Sequence, residues 1–233
     1  GAGVRQLEVN LARVLGPEAS AAEVRELSRE GMRSYMRYWC DAFRLPDWSD
    51  AELDDFELLG VEHVLPPMQA GRGAIVVVPH MGNWDHAGAW ATLAHSHVVT
   101  VAERLKPEEL YEKFLAYRRS LGMDVIPLTG GEPVFPYLAD RLREGNLIAL
   151  LGDRDLSNSG VPVQFFGAKA KMPAGPAALA VDTGAVLITA SLYLEDGRNH
   201  VRFQPPVEVP QEGERSRRRG SRSGSRGMGR GLC

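Results

Sequence analysis

Cysteine is nearly absent from this chain of 233 residues. Cys40 and Cys233 are the two present, too few for a disulfide framework and without metal-ligand spacing. Such sparse use fits a reducing compartment, and Cys40, set among aromatics in a helical stretch, is expected to be a small buried hydrophobe. No run approaches the roughly 18–20 apolar residues that span a bilayer; the longest, "AIVVVP" (74–79) and "LIALLG" (147–152), have strand length. No histidines carry zinc-like spacing with a third ligand, and no G-x-S-x-G elbow offers a serine nucleophile. The chain opens "GAGVRQ", without an initiating Met or a signal-peptide pattern, and is read as a fragment lacking its true start.

A large net charge is also missing, but the formal value of −3 hides a split. The final stretch "ERSRRRGSRSGSRGMGRGLC" (214–233) holds seven Arg and one Glu; without it the totals of 27 Lys+Arg and 30 Asp+Glu become 20 and 29, or −9. That tail has almost nothing apolar to pack and is expected to be disordered. An Arg-rich tail can meet RNA or anionic lipid, or stay solvated without a partner. The composition changes so abruptly after Pro210 that a sequence error or frameshift is the favoured reading, and no nucleic-acid partner is inferred. Residues 1–213 are then a single domain.

What the chain does have is alternation. Residues 4–15 repeat apolar positions at helical spacing, and Gly16-Pro17 stops them. Ser20 with Glu23 forms a capping box for a helix running to about Phe43, giving a helical portion over 4–45. Its aromatics, interleaved with Arg33, Arg37 and Arg44, read as a core-facing stripe beside solvated arginines or, less simply, as a membrane-leaning face. From residue 72 to 210 strands and helices follow one another. "AIVVVP", "HVVTVA", "MDVIPL", "NLIALLG" and "VLITASLYL" are strands with helices between most of them, "VPVQFF" is a shorter strand, and "HVRFQPPVEV" is the last. Strands apolar on both faces predict an α/β fold with a mostly parallel central sheet flanked by helices.

In such sheets chemistry collects at the carboxyl ends of strands. His80 ends the first strong strand, Glu103 follows the second, and Asp153-Arg154-Asp155 follow a third. "VVVPHMGNWDHAG" (76–88) is the densest of these places. On an unbroken helix, positions five apart would point roughly 140° away from each other, so His80 and Asp85 can meet only if the backbone turns between them. Gly82 permits that turn, and Asn83 can cap the next helix. Asp85 in the first helical turn is favoured in its ionised form, and a carboxylate beside an imidazole orients it for general-base work. Equally, a histidine at a strand end can serve packing and hydrogen bonding alone. His86 is expected on the helix surface, and His95 and His97 beside a loop.

Three ordered blocks carry a resemblance. H-x₄-D after a strand, "AERLKPEELYEKFLAYRRSLGMDVIPL" (102–128) and "LREGNLIALLGDRDLSNSGVPVQFFGAKAKMPAGPAALAVDTGAVLI" (142–188) resemble the bacterial lipid acyltransferases that act late in lipid A assembly. Within that family, "PHMGNWDHAGAW", "VAERLKP" and "GDRDLS" are most similar to an actinobacterial branch acting on phosphatidylinositol mannosides. The resemblance implies a glycerol-phosphate-acyltransferase-like fold. It implies transfer of a long acyl group, typically palmitoyl, from acyl-CoA to the 6-hydroxyl of the mannose on inositol position 2. It implies a peripheral protein on the cytoplasmic side of the cell membrane, with acyl-CoA as co-substrate and no further cofactor or metal. By the same resemblance His80 is the catalytic base, aided by Asp85 and Asp153, and Glu103 and Arg118 occupy the polar positions of the second block.

A sugar hydroxyl is a poor nucleophile, so a base must take its proton as the oxygen attacks the thioester. Arg118, Arg119 and Arg154 can grip coenzyme or lipid phosphates, with Asp155 beside them, or can be solvated and ion-paired. Phe165 and Phe166 border an acyl groove or, more simply, belong to the core; Lys169 and Lys171 meet headgroups or solvent. Rival readings are a lipid A-type enzyme with another glycolipid acceptor, and a degenerate lipid-binding module.

Overall fold

The computed structural model describes residues 2–94, 96–155 and 160–209. The tail discussed above and His95 lie outside them. Two helices lead, α1 (Ala2–Leu15) and α2 (Ala21–Arg44), and two short ones follow, α3 (Asp50–Leu53) and α4 (Leu65–Gln69). The capping box is formed: the Ser20 hydroxyl accepts from the Glu23 amide at 3.2 Å while the Glu23 carboxylate accepts from the Ser20 amide at 2.7 Å. α2 buries Tyr38 and Ala42 on one seam, adjacent turns of a single face. Cys40 lies off that seam and is exposed, contrary to expectation, because helical rotation carries it away from the face that Tyr38 and Ala42 share.

The sheet has seven strands: β1 (Phe56–Leu59), β2 (Ala74–Val78), β3 (Val98–Ala102), β4 (Asp124–Pro127), β5 (Leu147–Leu151), β8 (Val186–Glu195) and β9 (Arg198–Phe203). Their spatial order is β1-β9-β8-β2-β5-β3-β4, and only the β8–β9 pair is antiparallel. The expected mostly parallel α/β sheet is therefore present. β1 lies outside the predicted 72–210 core and joins the sheet by pairing with β9 far along the chain. β9 ends at Phe203, short of the expected strand through Val209, because Pro205 and Pro206 cannot donate to a ladder. Gln204 and Val207 still donate backbone bonds to Thr189 and Leu187.

Alternation along the strands makes two cores. Ala74, Val76, Ile188, Ala190 and Leu192 face the layer of α5 (Trp84–Leu93) and α6 (Glu108–Ser120). Ile75, Ile148 and Leu187 face α7 (Val134–Arg143) and α8 (Gly175–Thr183) through Leu138, Leu142 and Leu179. Apart from the sheet stands a hairpin of β6 (Val161–Phe165) and β7 (Ala168–Met172). Phe165 and Phe166 sit at its tip, 50% and 52% exposed, so the expectation that they belong to the core is overturned: a two-stranded ribbon has no second layer to cover its end.

His86 is the other reversal. Far from the helix surface, it is 1% exposed, with Nε2 donating to the Leu53 carbonyl and Nδ1 accepting from the Asn199 amide, each at 3.0 Å. Both ring nitrogens are satisfied only in the neutral form, and burial pushes its pKa below the ordinary value despite the Leu53 bond. An unfolded chain takes up this proton near about pH 6.5, whereas the folded one does so only at lower pH. Its contribution is complete above the unfolded-state value and is lost as the pH falls from there through the lower folded-state value. Urea midpoints measured from neutral to mildly acidic pH should therefore drop for the wild type. The drop should be shallower in His86→Gln, which should itself be less stable throughout by about 1–3 kcal/mol.

Candidate active site

β2 delivers the histidine. Pro79 stops the strand, and the chain turns at Gly82, whose φ is +62°. A Cβ there would lie 2.6 Å from the Leu192 backbone, so both the turn and its close approach to β8 require glycine. Asn83 then caps α5, its Oδ1 accepting from the His86 amide at 2.9 Å. At the neighbouring strand end, the Gly152 amide donates to the Val78 carbonyl at 3.0 Å, and a side chain at 152 would run into Val77. The ends of β2 and β5 are thus held against each other, which sets Asp153 across from His80.

Asp153 grips that histidine twice. One carboxylate oxygen accepts from the His80 backbone amide at 3.1 Å, and the other lies 2.6 Å from Nδ1 of the ring. A carboxylate on Nδ1 selects the tautomer with the proton on that nitrogen and leaves Nε2 as the basic atom. The pair is about one-third exposed, and His80 lines an open groove. The Trp84 ring meets the imidazole in a T-shaped contact, 5.5 Å between centroids.

Asp85 has a different place from the one its spacing suggested. It is 1% exposed; one oxygen accepts from the Tyr38 hydroxyl at 2.7 Å and the other from Arg118 Nε at 2.8 Å. Among the described residues no hydrogen bond or ion pair joins Asp85 to His80. With Asn83 as the cap, Asp85 falls on the side of α5 that meets α2 and α6, turned toward the interior. Burial, and then the Asp85 carboxylate, hold the Tyr38 phenol far above its ordinary pKa, so it stays a donor. Burial works against the Arg118 charge, but Asp85 more than offsets it and raises the guanidinium pKa. Arg118 is consequently a buried ion-pair partner and not the open phosphate grip that was one expectation.

Of the remaining candidates, Glu103, Arg154 and Asp155 follow strand ends on this edge, whereas Arg119 lies in the last turn of α6, just before β4 begins. Glu103 follows β3 and is exposed, as are Arg119 on α6 and Arg154 beside Asp153. Asp155 accepts from the Gly160 amide at 2.8 Å. Among the described residues no group of three His, Cys, Asp or Glu side chains is gathered to hold a metal. His97, beside its loop as expected, lies 3.9 Å from Asp124.

Two spaces meet at this edge. An open groove of about 700 Å³ runs between α2 and β8, with His80, Tyr38, Arg33, Arg37 and Tyr193 on its walls. Behind it lies an apolar cavity of about 110 Å³ under the ends of β2 and β5, bordered by Val78, Leu151, Trp84 and Met123. Trp84 belongs to both and stacks on Tyr38 at 4.4 Å. Sequence reasoning missed Tyr38 and Trp84; the aromatic stripe on α2 was the available signal, but not its partner 47 positions away.

The chain is matched over residues 2–218 by the family model of bacterial lipid A biosynthesis acyltransferases. A phosphatidylinositol mannoside acyltransferase of Mycolicibacterium smegmatis is 46% identical over 210 residues, covering 89% of this chain and 68% of that protein. Its namesakes in two strains of Mycobacterium tuberculosis are 46% identical over 198 residues, covering 83% of this chain and 62% of theirs. This chain belongs to the bacterial lipid A biosynthesis acyltransferase family. It spans about two thirds of the length of these relatives.

The buried pair carries its own test. Asp85→Ala or Arg118→Met should each cost about 3–5 kcal/mol, because each strands a charge in the interior. The double variant should cost clearly less than the two combined. Chemical denaturation of the four proteins measures the coupling; simple additivity would mean that the two charges do not stabilise each other in the folded protein.

Proposed function

We propose that this chain is the catalytic portion of a phosphatidylinositol mannoside acyltransferase. It transfers a long acyl group, palmitoyl, from acyl-CoA to the 6-hydroxyl of the mannose on inositol position 2. The observation that carries the reading is His80, clamped through Nδ1 by Asp153 and lining a groove at the carboxyl edge of a parallel sheet. Its 46% identity to proteins of that name supports the acceptor class.

His80 Nε2 removes the proton of the mannose hydroxyl as that oxygen attacks the thioester carbonyl. A new C–O bond forms and the carbonyl electrons move onto oxygen. On collapse the C–S bond breaks, and His80 passes its proton to the departing sulfur, so that coenzyme A leaves as the thiol and the imidazole returns to its neutral form. Asp153 stabilises the imidazolium between these two steps. Transfer is direct, with no acyl-enzyme and no resident cofactor in the proton or acyl steps. Asp85 supports the base indirectly, through Tyr38 and Trp84, and is a positioning residue. The apolar cavity beneath the strand ends, at about 110 Å³, takes only a few carbons of the acyl chain, and the rest lies along the open groove. Glu103, Arg154 and Asp155 line the approach, where the arginine meets coenzyme or lipid phosphate. The protein works as a peripheral protein at the cytoplasmic side of the cell membrane. No helix among the described residues is long and apolar enough to cross one.

Radiolabelled palmitoyl-CoA offered with mannosylated phosphatidylinositol should give labelled glycolipid. His80→Ala should lower turnover by about 10²–10⁴ while leaving the fold intact. Asp153→Asn should fall in the same range, mostly in kcat, since it removes the charge that the imidazolium needs. Undiminished turnover in His80→Ala, or labelling of lipid A precursors alone, would overturn the assignment.

A further inference from the structure

The hairpin of β6 and β7 is sorted by face. Paired across it, Val161 with Met172, Val163 with Ala170 and Phe165 with Ala168 form one apolar side. Pro162 with Lys171 and Gln164 with Lys169 form the other, and the ribbon contains no acidic residue. It projects from the charged cluster next to His80: Gly160 at its root donates to Asp155, two residues from Asp153. Five-residue strands carry the tip about 14 Å from that root.

The tip is built at a conformational cost. Phe166 and Gly167 form the two-residue turn with φ of +46° and +70°. Asn or Asp adopts that first position readily, whereas an L-residue with a large Cβ substituent is strained there by about 1–2 kcal/mol. Packing does not recover the difference, since the Phe165 and Phe166 rings meet edge-on at 4.7 Å and are both half exposed. Two aromatic rings held out at the end of a basic ribbon, on a domain of net charge −9, need a partner that is apolar inside and anionic at its surface.

We infer that this hairpin is a membrane finger: Phe165 and Phe166 enter the acyl boundary of an anionic phospholipid bilayer while Lys169 stays at the level of the phosphates. The inference deepens the proposed membrane-side function by naming the surface that meets the lipid. Aromatic rings with cations just above them match the layering of a bilayer interface, and the two attractions reinforce each other. The length of the ribbon then places the His80 edge close to the headgroup layer, where a glycolipid hydroxyl lies.

The full chain would be mixed with vesicles of phosphatidylcholine, with or without phosphatidylinositol, and its partitioning read by flotation. Phe165→Ser with Phe166→Asn should weaken binding by about tenfold or more, as expected for two large apolar side chains withdrawn from lipid. Lys169→Glu should weaken binding to the phosphatidylinositol vesicles and leave pure phosphatidylcholine unaffected. Phe166→Asn alone should raise the melting temperature while it lowers partitioning, an opposition that a purely structural role would not produce. In Phe165→Trp, brominated lipid should quench fluorescence beyond the quenching of the parent chain, which reads tip insertion without contribution from the Arg-rich tail. Transfer to detergent-dispersed acceptor should be unchanged in these variants. If no variant or parent transfers acyl groups, the proposed reaction fails while the partitioning result stands by itself. Unchanged partitioning and quenching overturn the finger, as does absence of binding by the parent; altered oligomeric state with intact vesicle binding assigns the tip to a protein contact and overturns it too.

Discussion

A carboxylate sealed beneath the groove holds three helices in register. Asp85 comes from α5, Tyr38 from α2 and Arg118 from α6, and both oxygens of the acid are spoken for. α2 reaches the domain as a long amphipathic helix with much of its circumference open to solvent. Its Tyr38 hydroxyl, kept protonated by burial and by the adjacent carboxylate, docks it at one defined angle. An apolar contact in the same place would tolerate sliding; a hydrogen bond of 2.7 Å to a buried charge does not. The groove wall containing Arg33, Arg37 and Tyr38 therefore depends on an acid that has no direct contact with His80.

The acids consequently divide the work according to their surroundings. Asp153 is partly exposed, faces an imidazole and can respond to a proton arriving on it. Asp85 is enclosed by a permanent cation and a phenol that stays neutral, so its charge is balanced through the whole reaction. Trp84 links the two, its ring stacked on Tyr38 and its edge against His80. A shift of α2 would reach the base through that ring, without any change in the groups that move protons.

Much of this was legible in the residues and some was not, for definable reasons. Parallel strands must end on the same edge, so His80, Glu103 and Asp153 could be assigned to one rim from strand boundaries alone. The partner of His80 could not be chosen, because the choice turned on how an Asn-capped helix aims its first turn. Asp85 was near in sequence and Asp153 was distant, yet strand pairing through Gly152 brought the distant one closer. β1 escaped notice because four residues of mixed character acquire strand identity only by pairing with β9. β7 read as alternating lysines on a solvated face; its hairpin was hidden because Phe-Gly is not a turn signal that propensity would suggest. His86 and Cys40 were exchanged between surface and interior, since neither helix displays which arc its neighbours will cover.

Electrostatics decide how an acidic domain can serve anionic ligands at all. A body of net charge −9 would seem to repel coenzyme phosphates and a phospholipid alike. At physiological salt, however, charges farther than about 8 Å away are largely screened. What a phosphate experiences is the local set: Arg33 and Arg37 on the groove wall, exposed and only loosely paired with Glu26 and Asp41 at 3.8 Å, and Arg154 beside Asp153. Arg118 borders the apolar cavity and not the groove, and its charge is already paired with Asp85, so it adds little to that field. Ligand charge is thus met at the rim, in solvent, where ion pairs are weak and reversible. The interior beside it remains apolar, and an acyl chain can enter there without meeting an unbalanced charge.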